Sequence, residues 1–310
     1  MANLNLLDIA KMNNSDDVAG LIEESIAAAP ELNMIDARTI SGTMYKTLVR
    51  SSLPSVGFRN ANEGVAAVKS AYENKTVETF IVDAPIEIDK AVADANEDGW
   101  ESVLALEGNA VLEAAFRSMG SQMYYGTATA VGTSTALAPT KGFPGLIELY
   151  DSSNMEVDVT GTGSDTSSAW LVKWGPQYLR WVIGMGGEVQ TQDAEATRLT
   201  DSAGLAYSGY RKPFELYIGL QMVNPNSVVR IKNIDSSTNT LNDDDVYSAL
   251  EKFPAGVTPD AIFMSRRSRG QIRSSRTATN ATGAVAPTPT EVENVPIVVT
   301  DSILDTETAA

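Results

Sequence analysis

Thr39-Ile-Ser-Gly-Thr-Met-Tyr-Lys-Thr-Leu-Val-Arg50 and Thr76-Val-Glu-Thr-Phe-Ile-Val-Asp-Ala-Pro-Ile-Glu-Ile88 are two long β-prone runs. Between them stand turn-forming clusters, Ser52-Leu53-Pro54-Ser55 and Arg59-Asn60-Ala61-Asn62-Glu63-Gly64. In the second run Val77, Thr79 and Ile81 alternate with charged or mixed positions, the pattern of a strand with one apolar face. Two strands joined by about 25 polar and small residues make little core of their own. A hairpin of this kind suits projection from the body better than burial within it. The blander alternative is a hairpin lying back on its own subunit. Residues 38–88 are accordingly read as a projecting hairpin.

The flanking segments fit that organisation. Residues 1–14 are polar and Asn-rich. A helix start follows at Ser15, with Asp16 and Asp17 in the first turn, Val18, Leu21, Ile22 and Ile26 at helical spacing, and Pro30 as the stop. So short and one-sided a helix must lie on another surface, which makes 1–37 an arm. Downstream, Asp98 to Met119 predicts a helix of about 33 Å, ended by Gly120. Trp100, Val103, Leu104, Val111, Ala114 and Ala115 form its stripe, widened by Leu106, Ala110, Leu112, Phe116 and Met119. An apolar arc this broad predicts packing under a sheet, and Gly108 hints at close backbone approach.

The rest alternates short elements. A small-residue loop covers 126–142, and strand-like runs lie at 154–160, 168–183, 187–192 and 212–234. Asn242 caps a helix through Asp243, Asp244 and Asp245 to Val246, Leu250 and Phe253. Met264 to Arg276 is a short basic helix, Thr277 to Thr290 a Thr/Ala/Pro loop, and Val295–Val299 a closing strand. There is no βαβ alternation and no internal repeat, so the fold class is α+β.

Composition removes most chemistry. Of 310 residues, 23 are Lys or Arg and 40 Asp or Glu, a formal charge of −17, and there is no Cys or His. Disulfides, iron–sulfur clusters, Cys/His zinc sites and Ser-His-Asp arrangements are thereby impossible. The 43% apolar and 20% charged fractions are those of a globular chain. No apolar stretch approaches the roughly 18 residues of a membrane helix, and the start lacks the pattern of a signal peptide. A soluble protein made in the cytoplasm is expected. The acidic balance argues against wrapping nucleic acid, because phosphate binding needs cation density.

The remaining motifs have plain readings. Asp94-Ala-Asn96-Glu-Asp98-Gly99 begins like a calcium loop, but Ala105 stands where the bidentate Glu should be. Gly184-Met-Gly186-Gly187 has Val189 in place of the third glycine and reads as a bend between strands. Asp243, Asp244 and Asp245 suit a helix N-terminus. Arg266, Arg269, Arg273 and Arg276, joined by Arg267, form a basic ridge whose best acidic partner is another copy of this chain. No catalytic residue, cofactor site or metal site is expected, and no enzyme.

Taken in order, these pieces resemble the major capsid proteins of tailed bacteriophages, with the Johnson fold shared by encapsulins and the herpesvirus capsid floor. The similarity rests on element order and on short signatures. These are Phe143-Pro-Gly145-Leu146; Tyr210-Arg-Lys-Pro-Phe214-Glu-Leu-Tyr-Ile-Gly219-Leu220 running into Val229-Arg230-Ile231-Lys-Asn233-Ile234; Met264-Ser-Arg266-Arg267-Ser-Arg-Gly-Gln271; and Val295-Pro296-Ile297-Val298-Val299-Thr300-Asp301-Ser-Ile303-Leu304.

The resemblance implies an N-terminal arm (1–37), an extended β-hairpin loop (38–90), a peripheral domain with a long spine helix (91–145 with 191–235 and 291–310) and an axial domain (146–190 with 236–290). Only about a dozen residues follow Val299, so strands 212–234 are expected to supply the peripheral sheet. By the same resemblance the protein self-assembles into hexamers and pentamers of an icosahedral virion shell, through axial domain, arm and loop. The shell would enclose double-stranded DNA without sequence-specific binding and touch no membrane. With no scaffolding segment ahead of the arm, separate scaffolding, portal and possible decoration proteins are the implied partners. Some relatives crosslink a hairpin Lys (here Lys46, Lys69 or Lys75) to an Asn, but spacing selects no partner. Two rivals stay open: an encapsulin-like compartment enclosing cargo, and a carboxylate-dependent hydrolase with two acids about 5–10 Å apart in a cleft.

Overall fold

The computed structural model describes residues 29–95, 100–126, 141–187, 190–191, 193–279 and 282–309. The expected arm helix from Ser15, the cap at Asp98 and most of the loop 126–142 lie outside them.

The described chain opens with the turn α1 (Glu31–Met34), then β1 (Ala37–Thr39) and the hairpin strands β2 (Met44–Ser52) and β3 (Ala71–Glu78). The second strand run does not continue unbroken. At Thr79 the backbone amide donates to Thr43 O at 2.8 Å, and Pro85 has no N–H for a ladder. β4 (Phe80–Asp83) and β5 (Ile86–Asp89) therefore enter two different sheets. The hairpin proper is 44–78, and its flanks within 38–90 belong to the body.

After α2 (Lys90–Ala93) comes α3 (Trp100–Tyr125), whose buried stripe is Leu104, Leu112, Phe116, Met119 and Met123. Ala110 and Ala114 are exposed, so the buried arc is narrower than the pattern suggests. The helix also runs straight through Gly120 instead of stopping there. A Cβ at this position would lie 2.2 Å from Ser302 Oγ and 2.4 Å from Glu31 Oε1. Gly120 is thus a crossing point, where the root of the arm and the C-terminal segment press on the helix. At Gly108 a Cβ would meet only Ile86 Cδ1, at 3.4 Å, so the tight approach lies at Gly120 and not at Gly108.

The second half begins with α4 (Leu146–Leu149), β6 (Glu156–Asp158), β7 (Ser167–Val172), β8 (Leu179–Ile183) and β9 (Gln190–Thr191). A hairpin of β10 (Glu195–Thr200) and β11 (Ala206–Lys212) follows, then β12 (Phe214–Met222) and β13 (Val228–Ile234). Last come α5 (Asp243–Leu250), β14 (Ala261–Met264), α6 (Arg266–Ala278), β15 (Glu291–Val292) and β16 (Val295–Val299). Asn242 and Asp245 form a reciprocal capping box at α5: Asp245 N donates to Asn242 Oδ1 at 3.0 Å and Asn242 N to Asp245 Oδ2 at 3.1 Å. α6 starts later than expected because Met264 still belongs to β14, leaving Ser265 as its cap.

The strands make four sheets. One has the order β1-β8-β12-β4 with β9 beside β12, and a second is β10-β11-β5. The third is β15-β16-β14-β7-β13-β6, and β2-β3 stands alone as the fourth. The run 212–234 therefore divides. β12 is the centre of the first sheet, whereas β13, after the break at Pro225, crosses to pair with β7. The six-stranded sheet draws β7 and β14 from the expected axial segments, and β13 and β16 from the expected peripheral ones. Main-chain pairing, not chain order, decides its membership. β7 is buried along its whole length. Around it Trp170, Tyr124, Tyr125 and Phe263 join Phe116 and Trp181 in one continuous core. The result is an α+β body with one hairpin outside it. Among the described residues no helix is long and apolar enough to cross a membrane.

Candidate functional site

Among the described residues the hairpin is anchored to the body at its root. Ile40, Val77 and Val182 form a small cluster there with Tyr45 against it. The Tyr45 hydroxyl bonds Gln221, and the Arg38 guanidinium lies 4.5 Å from the Tyr45 ring centroid. β12 passes so near that a Cβ at Gly219 would sit 2.3 Å from Glu78 O. Beyond this root the two strands pair only with each other, Lys46 opposite Thr76 and Val49 opposite Glu73.

Among its polar and charged residues the hairpin exposes many apolar ones. Half of the large exposed hydrophobic side chains of the described residues fall between Met44 and Tyr72. Leu53 is 72%, Val56 89% and Phe58 fully exposed. Each would gain about 1.5–3 kcal/mol on burial, which the described residues of its own chain do not provide. Large apolar side chains exposed in such number on one segment point to an interaction site.

A cleft of about 610 Å³ opens beside the first half of α3. Ile86, Leu104, Leu112 and Phe214 line its floor and Trp100 and Val111 its walls, with Glu101, Asp193 and Lys212 as the charged members of the lining. Trp100 stacks on Tyr210 of β11 with ring centroids 4.6 Å apart and planes 15° apart. The Tyr210 hydroxyl donates to Asp94 Oδ1 at 3.1 Å. Those contacts hold the β10–β11 hairpin against the helix and keep the cleft open. Nothing in the sequence reading flagged that hairpin, although Asp201-Ser-Ala-Gly204 between two alternating runs was its signal.

The strongest polar constellation is buried and structural. Arg230 Nη2 lies 3.0 Å from Glu307 Oε2, with both side chains under 5% exposed. Ser168 Oγ donates to Glu307 Oε2 at 2.6 Å and accepts from Arg230 Nε at 3.0 Å. Tyr125 donates to Glu307 Oε1 at 2.5 Å and accepts from the Leu304 amide at 2.9 Å. Arg230 also lies over the Trp170 ring at 5.4 Å. Burial, and then the Glu307 charge, push the Tyr125 phenol well above its ordinary range. Nearby, burial and the bond to Glu156 push Tyr150 up to about 12. Every polar atom here serves to tie the C-terminal segment and the end of α3 to the six-stranded sheet. No cavity opens on it for a reacting group.

The residues singled out in the sequence resolve as follows. Four of the five ridge arginines have partners within the chain. Arg276 holds Asp243 in a bidentate pair at 2.8 and 2.9 Å. Arg266 pairs with Asp301, Arg267 lies 3.4 Å from Asp305, and Arg273 donates to Ala286 O at 2.7 Å. Asp243 is thus both a helix-start acid and an ion-pair partner. The 184–187 turn is a strand-end bend with Met185, Gly186 and Gly187 at positive φ. Lys46 and Lys69 are exposed and Lys75 half-buried along the hairpin. Among the described residues no group of acids is arranged to hold a metal ion.

The comparisons agree with a shell-forming fold. The family model described as major capsid protein GP7 matches residues 12–310. No curated protein matches the sequence. The chain is similar to the solved structure of bacteriophage Epsilon15, at 21% identity over 90% of this chain and 89% of that one, with a TM-score of 0.59. It is similar also to the bacteriophage JBD30 capsid, at 11% identity over 90% and 92%, with a TM-score of 0.56. At such identities the likeness is one of fold.

Proposed function

The chain belongs to the GP7 family of major capsid proteins, and from that premise we propose that its copies join as hexamers and pentamers into an icosahedral shell around double-stranded DNA. Family and fold are those of a structural shell protein of a phage virion, not of an enzyme. Neither the encapsulin-like compartment nor the carboxylate hydrolase is favoured.

The observation that carries the reading is the hairpin 44–78, whose apolar side chains stand exposed among the described residues. On a neighbour the same side chains become a contact, and repetition around a ring multiplies a contact that is weak singly. In this reading the six-stranded sheet with α5 and α6 lies toward the capsomer axis and the sheet on β12 with α3 toward the periphery. Residues 1–37 act as an arm. The charge of −17 keeps the shell from adhering to the DNA it encloses. Separate scaffolding, portal and decoration proteins complete the particle, and synthesis takes place in the bacterial host cytoplasm.

Sizing and negative-stain imaging of the purified full chain test this. Capsomer rings or shells are expected; a compact species of one chain mass at every concentration would overturn it.

A further inference from the structure

We infer that Glu31 is a proton-operated latch: its buried carboxyl holds α1 against α3 and the C-terminal segment while it carries a proton, and lets α1 go when the proton leaves. The device belongs to one chain by itself and goes beyond the shell reading. Three segments meet at this carboxyl. Glu31 opens α1, Gly120 lies on α3, and Thr300 and Ser302 follow β16. The missing side chain of Gly120 leaves the room that the Glu31 and Ser302 oxygens fill.

No cation stands there to meet a carboxylate. Thr300 and Ser302 lean on Glu31 from the C-terminal segment, and the Tyr124 phenol faces it from α3. From β8 the Trp181 indole donates to Glu31 O at 3.3 Å. Both Glu31 carboxyl oxygens, Ser302 Oγ and the Tyr124 hydroxyl are buried and make no hydrogen bond among the described residues. The charged groups nearby in sequence are engaged elsewhere, Asp36 with Arg180 and Asp301 with Arg266. A protonated carboxyl is neutral and has an O–H to give to one of the idle hydroxyl oxygens. Loss of the proton leaves a buried charge without an ion partner, a costly state that opening to water relieves. Burial accordingly holds the Glu31 pKa above the ordinary glutamate range.

The part that lets go is short. In α1, Leu32 N and Asn33 N donate to Ala29 O and Pro30 O at 3.1 Å, and Ile35 N donates to Glu31 O at 3.3 Å. Just downstream the chain is fixed: Trp181 N donates to Asp36 O at 2.8 Å, β1 pairs with β8, and Ile40 N donates to Ile183 O at 2.9 Å. Opening of residues 29–35 about Asp36 therefore brings Glu31 to water with both large sheets intact. Leu32 and Ile35 are buried in the main core, so the open form is a minor population, of the kind that local exchange detects.

A global melt records only that a group titrates; local amide exchange records where the chain lets go. Exchange is measured on the full chain across pH and expressed as protection factors, which removes the intrinsic pH dependence of exchange. Once open, the carboxyl titrates at about pH 4.3. The opening equilibrium at residues 32–35 should therefore rise about tenfold per pH unit from there to the raised folded pKa, and level off above it. Ile40, beyond the fixed point, should show no such slope. In Glu31→Gln, protection at residues 32–35 should stay high and independent of pH. The absence of a slope at 32–35 in the unmodified chain, or an equal slope at Ile40, overturns the latch, and neither reading needs a variant that folds. A slope that survives in Glu31→Gln overturns it too, by assigning the proton to another group.

Discussion

β7 and β2 are strands of similar composition placed in opposite circumstances. Ser167–Val172 lies between β13 and β14 with every residue buried, whereas Met44–Ser52 has one partner strand and side chains open to solvent. The first satisfies its backbone and apolar groups within one chain. The second satisfies only half its backbone edge and little of its side-chain surface, a condition that soluble monomers avoid. The contrast separates the parts that make this chain fold from the parts that make it assemble, and it predicts that mutations will sort the same way.

The largest effect on folding should come from the buried pair under β7. Arg230→Ala leaves Glu307 charged and unpaired, and should lower unfolding free energy by about 3–5 kcal/mol in a denaturant melt. Replacing both partners by apolar residues of similar size should recover most of that loss. Next is Gly120→Ala, which drives a Cβ into Glu31 and Ser302; about 1–3 kcal/mol should be lost, read by the same melt. Asn242→Ala removes the α5 cap and should cost about 1 kcal/mol.

A smaller, pH-dependent effect is expected at Glu31. Its carboxyl is wholly buried beside Ser302 and Thr300, and burial raises its pKa above the ordinary glutamate range. Neither oxygen has a hydrogen-bond partner among the described residues. The folded state therefore holds a proton that the unfolded state releases near pH 4.3. The stabilisation is complete below that pH and declines as pH rises from there through the raised folded value. Glu31→Gln should remove this component of the pH slope, whereas an unchanged slope would place the titration elsewhere.

How much of this was legible in the sequence depended on the range of the interaction. The hairpin and the Asn242 cap are local patterns; the cap stands where side-chain chemistry puts it and the first strand overlaps its predicted run, whereas the second, Ala71–Glu78, begins five residues before its own. Gly120 was read as a helix stop because its reason, Glu31 on one side and Ser302 on the other, lies about 90 and 180 residues away. Arg230 and Glu307 looked unremarkable for the same reason, being 77 positions apart. The arginine ridge was a true helical face. Its partners Asp243, Asp301 and Asp305 became visible only once three segments were brought together. Membership of the two large sheets was likewise undetermined, since Pro225 and Pro85 mark where the chain breaks but not which sheet it enters next.

The central claim is that the hairpin is covered by other copies and not by its own chain. Phe58→Asp tests it most directly, through a melt of the dissociated chain and sedimentation of the assembled one. The account predicts a melt within about 0.5 kcal/mol of the unmodified chain together with loss of rings and shells. A destabilised isolated chain that still assembles normally would contradict it.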